Sequence, residues 1–467
     1  MTKELQKLVA SDQQWRLAYH IMPETGWLND PNGSVQFNGK YHVYFQYEPD
    51  NPKGGATHWG HKSSTDLVHF KEEPIFLSPD QSFDCDGAYS GSALIADNQL
   101  HFFYTGNVKH EGFNDYLYQG REQNVVHVIS SDGKDILKRE VVIPHQDLPA
   151  GYTAHIRDPK VFKHDSSYWM LLGGRTLEHN GVILLLVSTD LTNWHFVDEF
   201  YKGDSDDGYM WECPDLVNFD SKEMIMYSPQ GLAKEKGAYQ NIFSSGYQLG
   251  HIDWDEKCFI PESEFTEFDY GFDFYAPQTF TDEKGRHMMW GWFGLPNIEP
   301  EYLNPTVAYG WQHALTLPRE LTNQNGKLRQ QVPKEYQVLR GDEQTLLNCS
   351  ETSRELKGEV YEFIIEWKYS SLSSMTLHLR EDTVISYDGE FLKLSHGKSG
   401  YGRKERYVAI SDLSQLQIFS DYSSLEIFIN DGEAVMSSRL YPEKGEDSIQ
   451  FKSQRPADLT FWPLTHT

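Results

Sequence analysis

W-L-N-D-P-N-G-S-V-Q-F-N-G-K-Y-H-V-Y-F-Q-Y runs from Trp27 to Tyr47. Its second half reads as a hairpin, because two alternating apolar segments flank Asn38-Gly39 and that pair favours a tight turn between strands. Its first part, Asn29-Asp30-Pro31-Asn32-Gly33, has the composition of a turn, since proline fixes φ, glycine permits positive φ, and Asn and Asp bond their own backbone. The hairpin recurs. GKYHVYFQY from Gly39, NQLHFFYTG from Asn98, SSYWMLLGG from Ser166, SKEMIMYSPQ from Ser221 and GRHMMWGWF from Gly285 each follow a turn. Each is preceded by a short strand: PNGSVQFN, SGSALIAD, DPKVFKHD, PDLVNFD or APQTFTD.

Five hairpins at intervals of roughly 55 to 70 residues predict a five-bladed β-propeller, which protects its sheet edges by radial repetition. A jelly roll or long sandwich accounts for the spacing less well. An echo between the hairpins, S-T-D-L-x-x-F at Ser64–Phe70 and S-T-D-L-x-x-W at Ser188–Trp194, reads as part of further strands. The expected organisation is a propeller over 1–325, a polar linker over 326–345 and a β-sandwich over 346–467. The last follows from alternating runs such as EVYEFIIEW, SLEIFIND and LTFWPL.

Composition narrows the function. With 41 Lys plus Arg against 69 Asp plus Glu, the net charge of −28 argues against nucleic acid or an anionic membrane as partner. Aromatic residues reach 14%, which suits strand packing and sugar-stacking surfaces. Four scattered cysteines predict neither a disulfide framework nor a zinc site. No stretch approaches a signal peptide or a membrane span, so a cytoplasmic, soluble protein is expected.

Aligned on the hairpins, Asp30 lies 11 residues before Tyr41, Asp158 lies 10 before Tyr168, and Glu212 lies 12 before Met224. Three acids thus enter the first strands of blades one, three and four, and in a propeller those strands surround the axis. Crowded carboxylates hold one another's protons, as the acid and the anion of glycoside hydrolysis require. Asp30, on a rigid Pro31 turn, suits a nucleophile. Glu212, between Trp211 and Cys213, suits an acid raised by apolar neighbours. Read singly, Asp30 is a turn former, Arg157-Asp158-Pro159 a salt bridge before a bend, and Cys213 a small buried apolar residue. A metal site from the same acids is disfavoured because no histidine shares the position, although His155 is near.

WLNDPNG, HWGH at His58, YSGSA at Tyr89, RDP at Arg157, WECPD at Trp211, DFYAPQTF at Asp273 and GW at Gly291 together resemble glycoside hydrolase family 32, the invertase and β-fructofuranosidase family. The resemblance runs from about Trp15 to the C-terminus. It implies a propeller joined to a sandwich and a retaining double displacement on β-D-fructofuranosides, without a cofactor or metal. By the same resemblance Asp30 matches the nucleophile, Glu212 the acid/base and Asp158 the transition-state stabiliser. Asn29, Gln46, Trp59, Tyr89, Ser90, Arg157, Tyr275 and Trp292 match residues that hold the fructosyl ring, and Arg157 is expected to keep Asp158 ionised. Tyr89-Ser90 departs from the family's usual Phe-Ser.

HIMPETGWLNDPNG and YTGNVKHEG are most similar to the family's bacterial sucrose-6-phosphate hydrolases, which points to sucrose 6-phosphate. Sucrose or short oligosaccharides such as kestose, a fructosyltransferase, and a sugar-binding propeller without turnover are the alternatives. Lys53, Lys109 and Arg121 are loop residues able to meet a phosphate. The sandwich is expected to cover one flank of the propeller, with a possible homodimer through it.

Overall fold

The computed structural model describes residues 3–12, 14–219, 221–352, 356–368 and 372–466. Five antiparallel four-stranded units begin with Gly26–Phe37, Ala88–Ala96, Tyr152–His164, Met210–Phe219 and Tyr275–Thr281, with a short strand, Thr266–Glu267, added to the fourth and Trp311–Gln312, within the fifth in sequence, joined to the first. These are the five expected blades.

The blades form a ring because each interface between neighbours is packed. Tyr44, Trp59 and Phe102 join the first sheet to the second. Phe103, Ile156 and Leu172 join the second to the third, and Leu171, Ile183 and Trp211 the third to the fourth. Met224, Phe274 and Met289 continue the pattern, and Leu28, Phe45 and Trp290 close the fifth sheet onto the first. The closure is reinforced by Trp311–Gln312, which pairs parallel with Gly26-Trp27.

Two local expectations differ from the fold. The S-T-D-L echoes are turns between third and fourth strands. Ser188 Oγ accepts the N–H groups of Asp190 and Leu191 at 3.1 and 3.0 Å, while Asp190 Oδ1 accepts those of Thr192 and Asn193. Ser64-Asp66 and Ser130-Asp132 build the same kind of turn in the first two sheets. A serine followed two residues later by aspartate therefore marks a turn that supplies its own backbone acceptors. Lys327–Gln331, inside the stretch expected to be a linker, is the outer strand of the fifth sheet, paired with Arg319–Gln324.

The C-terminal region forms one hydrogen-bonded sheet of ten strands. Its long strand Ile449–Pro463 pairs at one end with Met375–Leu379 and at the other with Tyr361–Glu366, so the sheet folds over itself as a sandwich around Phe363, Leu377, Ile427 and Phe461. The edge strand Ala434–Arg439 is buried along its whole length and accepts the propeller's backbone: Tyr270 N–H donates to Val435 O and Phe272 N–H to Ser437 O, each at 2.8 Å. Gly271 between them is required, because a Cβ there would lie 2.0 Å from Ser437 O.

Candidate active site

In a regular strand, consecutive side chains point to opposite faces. Each of the five innermost strands breaks that rule near its start. The ladder loses register between Leu28 and Pro31, Ala88 and Gly91, Arg157 and Lys160, Glu212 and Asp215, and Tyr275 and Gln278. A bulge re-aims side chains and bends the strand. Here it lets adjacent residues face the axis together: Asn29 with Asp30, Tyr89 with Ser90, Arg157 with Asp158, and Glu212 with Cys213 all line one cavity of about 300 Å3. Asp158, Cys213 and Ala276 take positive φ at this point, with values of 63°, 49° and 45°, and a proline follows each.

The opening stretch is accordingly a doubly bulged strand, Gly26–Phe37, in place of the expected turn. Its second irregularity falls between Asn32 and Val35, around Gly33 at φ 48°. Turn chemistry in the sequence encodes an interruption of the strand. The three acids are also not strictly equivalent: Asp158 lies just after the last residue paired before the break, whereas Glu212 is itself that residue.

Asp30 is buried. Its Oδ2 accepts a 2.5 Å hydrogen bond from Ser90 Oγ, and its Oδ1 accepts one of 3.1 Å from Asn29 Nδ2. Gln46 fixes both donors, accepting from Asn29 Nδ2 at 2.8 Å and donating to Ser90 Oγ at 2.6 Å. Cys213 Sγ stands 3.7 Å from Asp30 and 3.6 Å from Asp158, and the Cys213 N–H donates to Asp158 Oδ2 at 2.9 Å. Glu212 is held from three sides. Arg157 Nη2 pairs with Oε1, while Oε2 accepts from Tyr275 OH at 2.6 Å and from Gln230 Nε2 at 2.8 Å.

The electrostatics reverse the expected assignment. Burial pushes Asp30 up to about 6, against the hydrogen bonds of Ser90 and Asn29 and with the help of Glu212's charge. Burial likewise pushes Asp158 up to about 7, with Arg157 opposing and Glu212 adding to the rise. For Glu212 burial is also the largest influence, yet Arg157, Tyr275 and Gln230 together outweigh it and hold the acid below its ordinary value. The reason is geometric: Arg157 pairs directly with Glu212, whereas its Nε is 3.9 Å from Asp158. Trp211 does not raise Glu212 either, because its ring turns outward to stack on Tyr227 with centroids 4.1 Å apart.

Of the residues expected to hold a sugar, Asn29, Gln46, Tyr89, Ser90, Arg157, Tyr275 and Trp292 line the cavity. Trp59 does not. Its side chain is fully buried in the core between the first two sheets, and its Nε1 donates to Tyr89 O at 3.0 Å, so it supports the strand that carries Tyr89 and Ser90. Arg121 lines the cavity, while Lys53 and Lys109 are exposed outside the lining. Sequence reasoning missed Gln230, which braces Glu212 from the neighbouring strand of the same sheet, and Gln123, which braces Arg157 from the second sheet. For Gln230, a polar residue closing a largely apolar strand was the only signal. Among the described residues, no three His, Cys, Asp or Glu are grouped to hold a metal ion, and no helix is long and apolar enough to cross a membrane.

Further along the same inner strands lies a second cavity of about 470 Å3, touching Ser34, Ala93, Lys160, Asn218 and Thr281. Lys160 spans Asp215 Oδ1 and Thr279 O there, at 2.7 and 2.8 Å, which neutralises the end of the axis remote from the three acids. The chemistry therefore belongs to the smaller cavity.

The model of the glycosyl hydrolases family 32 N-terminal domain matches residues 20–332, and that of the family's C-terminal region matches residues 326–463. The chain belongs to glycosyl hydrolase family 32. It is a glycoside hydrolase of the β-fructofuranosidase type. A sucrose-6-phosphate hydrolase of Bacillus subtilis is 39% identical, covering 99% of this chain and 96% of that protein. A raffinose invertase of Escherichia coli is 34% identical, covering 99% and 98%. The structure of a sucrose-6-phosphate hydrolase from Lactobacillus gasseri superposes with a TM-score of 0.89 at 32% identity, covering 99% of this chain and 96% of that one.

Proposed function

We propose that the protein releases fructose from sucrose 6-phosphate by a retaining double displacement in which Asp30 is the nucleophile, Glu212 the acid/base and Asp158 the residue that steadies the fructosyl ring. The observation that carries this reading is the convergence of two buried carboxylates, Asp30 and Asp158, and the partly buried Glu212, which pairs with Arg157, in a cavity lined mainly by amide, hydroxyl and aromatic groups suited to a sugar. Asp30 would attack the anomeric carbon while Glu212 protonates the departing oxygen. Glu212 would then take a proton from the water that frees the fructose.

The proton inventory gives the substrate a task. At pH 7 Asp30, near 6, is mostly ionised, as attack requires. Glu212 is held as an anion by Arg157, whereas Asp158, near 7, holds part of a proton. Productive binding must therefore weaken the Arg157–Glu212 pair and let Glu212 acquire a proton. Sugar hydroxyls that engage Arg157 and Asp158, in a cavity now emptied of water, would drive the exchange.

The phosphorylated substrate is favoured by the names of the Bacillus and Lactobacillus relatives. The raffinose invertase of E. coli supports a second reading, hydrolysis of unphosphorylated sucrose-type oligosaccharides. The phosphorylated reading also puts the protein in the cytoplasm, because a charged sugar stays in the compartment where it was phosphorylated. Side-by-side kcat/KM on sucrose and sucrose 6-phosphate, with both products quantified, separates the two. A preference of about 100-fold for the phosphate, about 2.7 kcal/mol in transition-state binding, supports the first, and equal use supports the second. Glucose in excess of free fructose at high sucrose would identify transfer in place of hydrolysis.

A further inference from the structure

Arg121 is the unexplained charge of the site. It begins the strand Arg121–Ser130 of the second sheet, lines the catalytic cavity, and makes no ion pair or side-chain hydrogen bond among the described residues. Its Nε is buried without a partner, a state that is costly unless something else completes it. In a chain with 69 acidic and 41 basic residues, an arginine without a carboxylate beside it is not for want of candidates. The cavity's other arginine, Arg157, is paired with Glu212.

The register adds a second observation. Arg121 is directly opposite Lys109, the last residue of the neighbouring strand Gln99–Lys109. Opposed side chains share a face, and like charges so placed repel. That face is turned to the third sheet, because Gln123, two residues on, accepts from Arg157 Nη1 at 3.4 Å. The nearby acids are turned elsewhere: Glu122, on the opposite face, pairs with His110 at 2.9 Å, and Asp86 accepts the backbone N–H of Lys109 at 2.7 Å. Burial and then the charge of Arg157 push Arg121 below its ordinary value, so a bound anion would relieve both. Tyr89, whose ring joins the same cavity wall, continues that surface towards Asp30 through its neighbour Ser90.

We infer that Arg121, seconded by Lys109, is the seat for the phosphate carried by the leaving hexose. Arg121 supplies a planar fork for two phosphate oxygens and Lys109 a point charge from the rim. This inference rests on the phosphorylated-substrate reading above and names the residues that would make the discrimination.

The test is kcat/KM on sucrose 6-phosphate and on sucrose for the wild type, Arg121→Gln, Arg121→Lys and Lys109→Gln, together with inhibition by glucose 6-phosphate against glucose. Arg121→Gln should lower the ratio of phosphorylated to plain substrate by at least about tenfold and weaken glucose 6-phosphate inhibition in parallel. Arg121→Lys should restore part of that ratio, and Lys109→Gln should lower it by about threefold. A wild type that uses both substrates equally would overturn the substrate reading and this inference with it. A wild-type preference that survives in Arg121→Gln would overturn the inference alone. So would an equal loss on both substrates, since that would make Arg121 a support for the fructosyl site.

Discussion

Two of the regions where the molecule buries charge treat it in opposite ways. Where the propeller meets the sandwich, each buried acid has its partners. Asp269 takes Arg319 at 2.7 Å together with Ser437 and the Gly271 N–H. Asp273 takes Arg403 through two hydrogen bonds of 2.7 and 2.8 Å, and Asp421 and Glu426 share His20 at 2.8 and 3.1 Å. At the end of the propeller axis, Asp30 and Asp158 are buried beside the partly buried Glu212, and Arg157 pairs with Glu212. The first arrangement locks two domains together. Burial raises Asp269 too, but beside a hydrogen-bonded arginine; the second arrangement leaves Asp30 and Asp158, with no hydrogen-bonded cation among the described residues, raised to about 6 and 7 and open to a substrate. Identical residue types become structure or chemistry according to whether their partners are complete.

Substitutions break the comparison from either side. Asp30→Asn should lower kcat by about 10^4-fold or more while raising the melting temperature at pH 7.5. An acid raised from its unfolded value near 3.9 to about 6 contributes stability below the unfolded value and loses it as pH rises through the folded one. Removing the charge should therefore return about 3 kcal/mol above pH 6, read by thermal unfolding at pH 5 and 7.5. Arg319→Met should do the reverse, costing about 3–5 kcal/mol by stranding Asp269 without its cation, since Glu426 keeps His20. That cost should shrink at low pH as Asp269 takes up a proton, and denaturant titration measures it.

A smaller effect sharpens the account within the site. Ser90 and Asn29 lower Asp30 against its burial, so Ser90→Ala should shift the acid limb of the kcat/KM profile, expected near pH 6, upward by about half a unit to one unit. Trp59→Phe should be mildest in function. Its indole lies in the core, so KM should stay within about threefold while stability falls by about 1 kcal/mol. A large KM increase without destabilisation would return Trp59 to the sugar site.

The fold was legible because its signal is periodic: five strand–turn–strand units at regular spacing, each with an apolar face for its neighbours. The acids were legible because three of them stood near the same offset from those units. What sequence reading missed was local and relational. The Asn29-Asp30-Pro31 composition was read as a turn because bulges and turns draw on the same residues. The prolines after Asp158, Cys213 and Ala276 were visible, but their shared meaning, a break in the ladder that turns adjacent side chains inward, required the register. The choice of Arg157 between Asp158 and Glu212 depends on a few ångströms that no spacing encodes. Trp59, one motif among several, sits in the same blade as true lining residues, and burial alone separates it from them.

The central claim is that Asp30, the carboxylate at the first bulge, becomes covalently attached to the sugar. The most direct measurement is mass spectrometry of Glu212→Gln after rapid mixing with an activated fructoside and acid quench, followed by peptide mapping. The account predicts a fructosyl ester on Asp30 that appears faster than it hydrolyses. A modified Asp158, or turnover of the fructoside with no covalent adduct at any quench time, would contradict it.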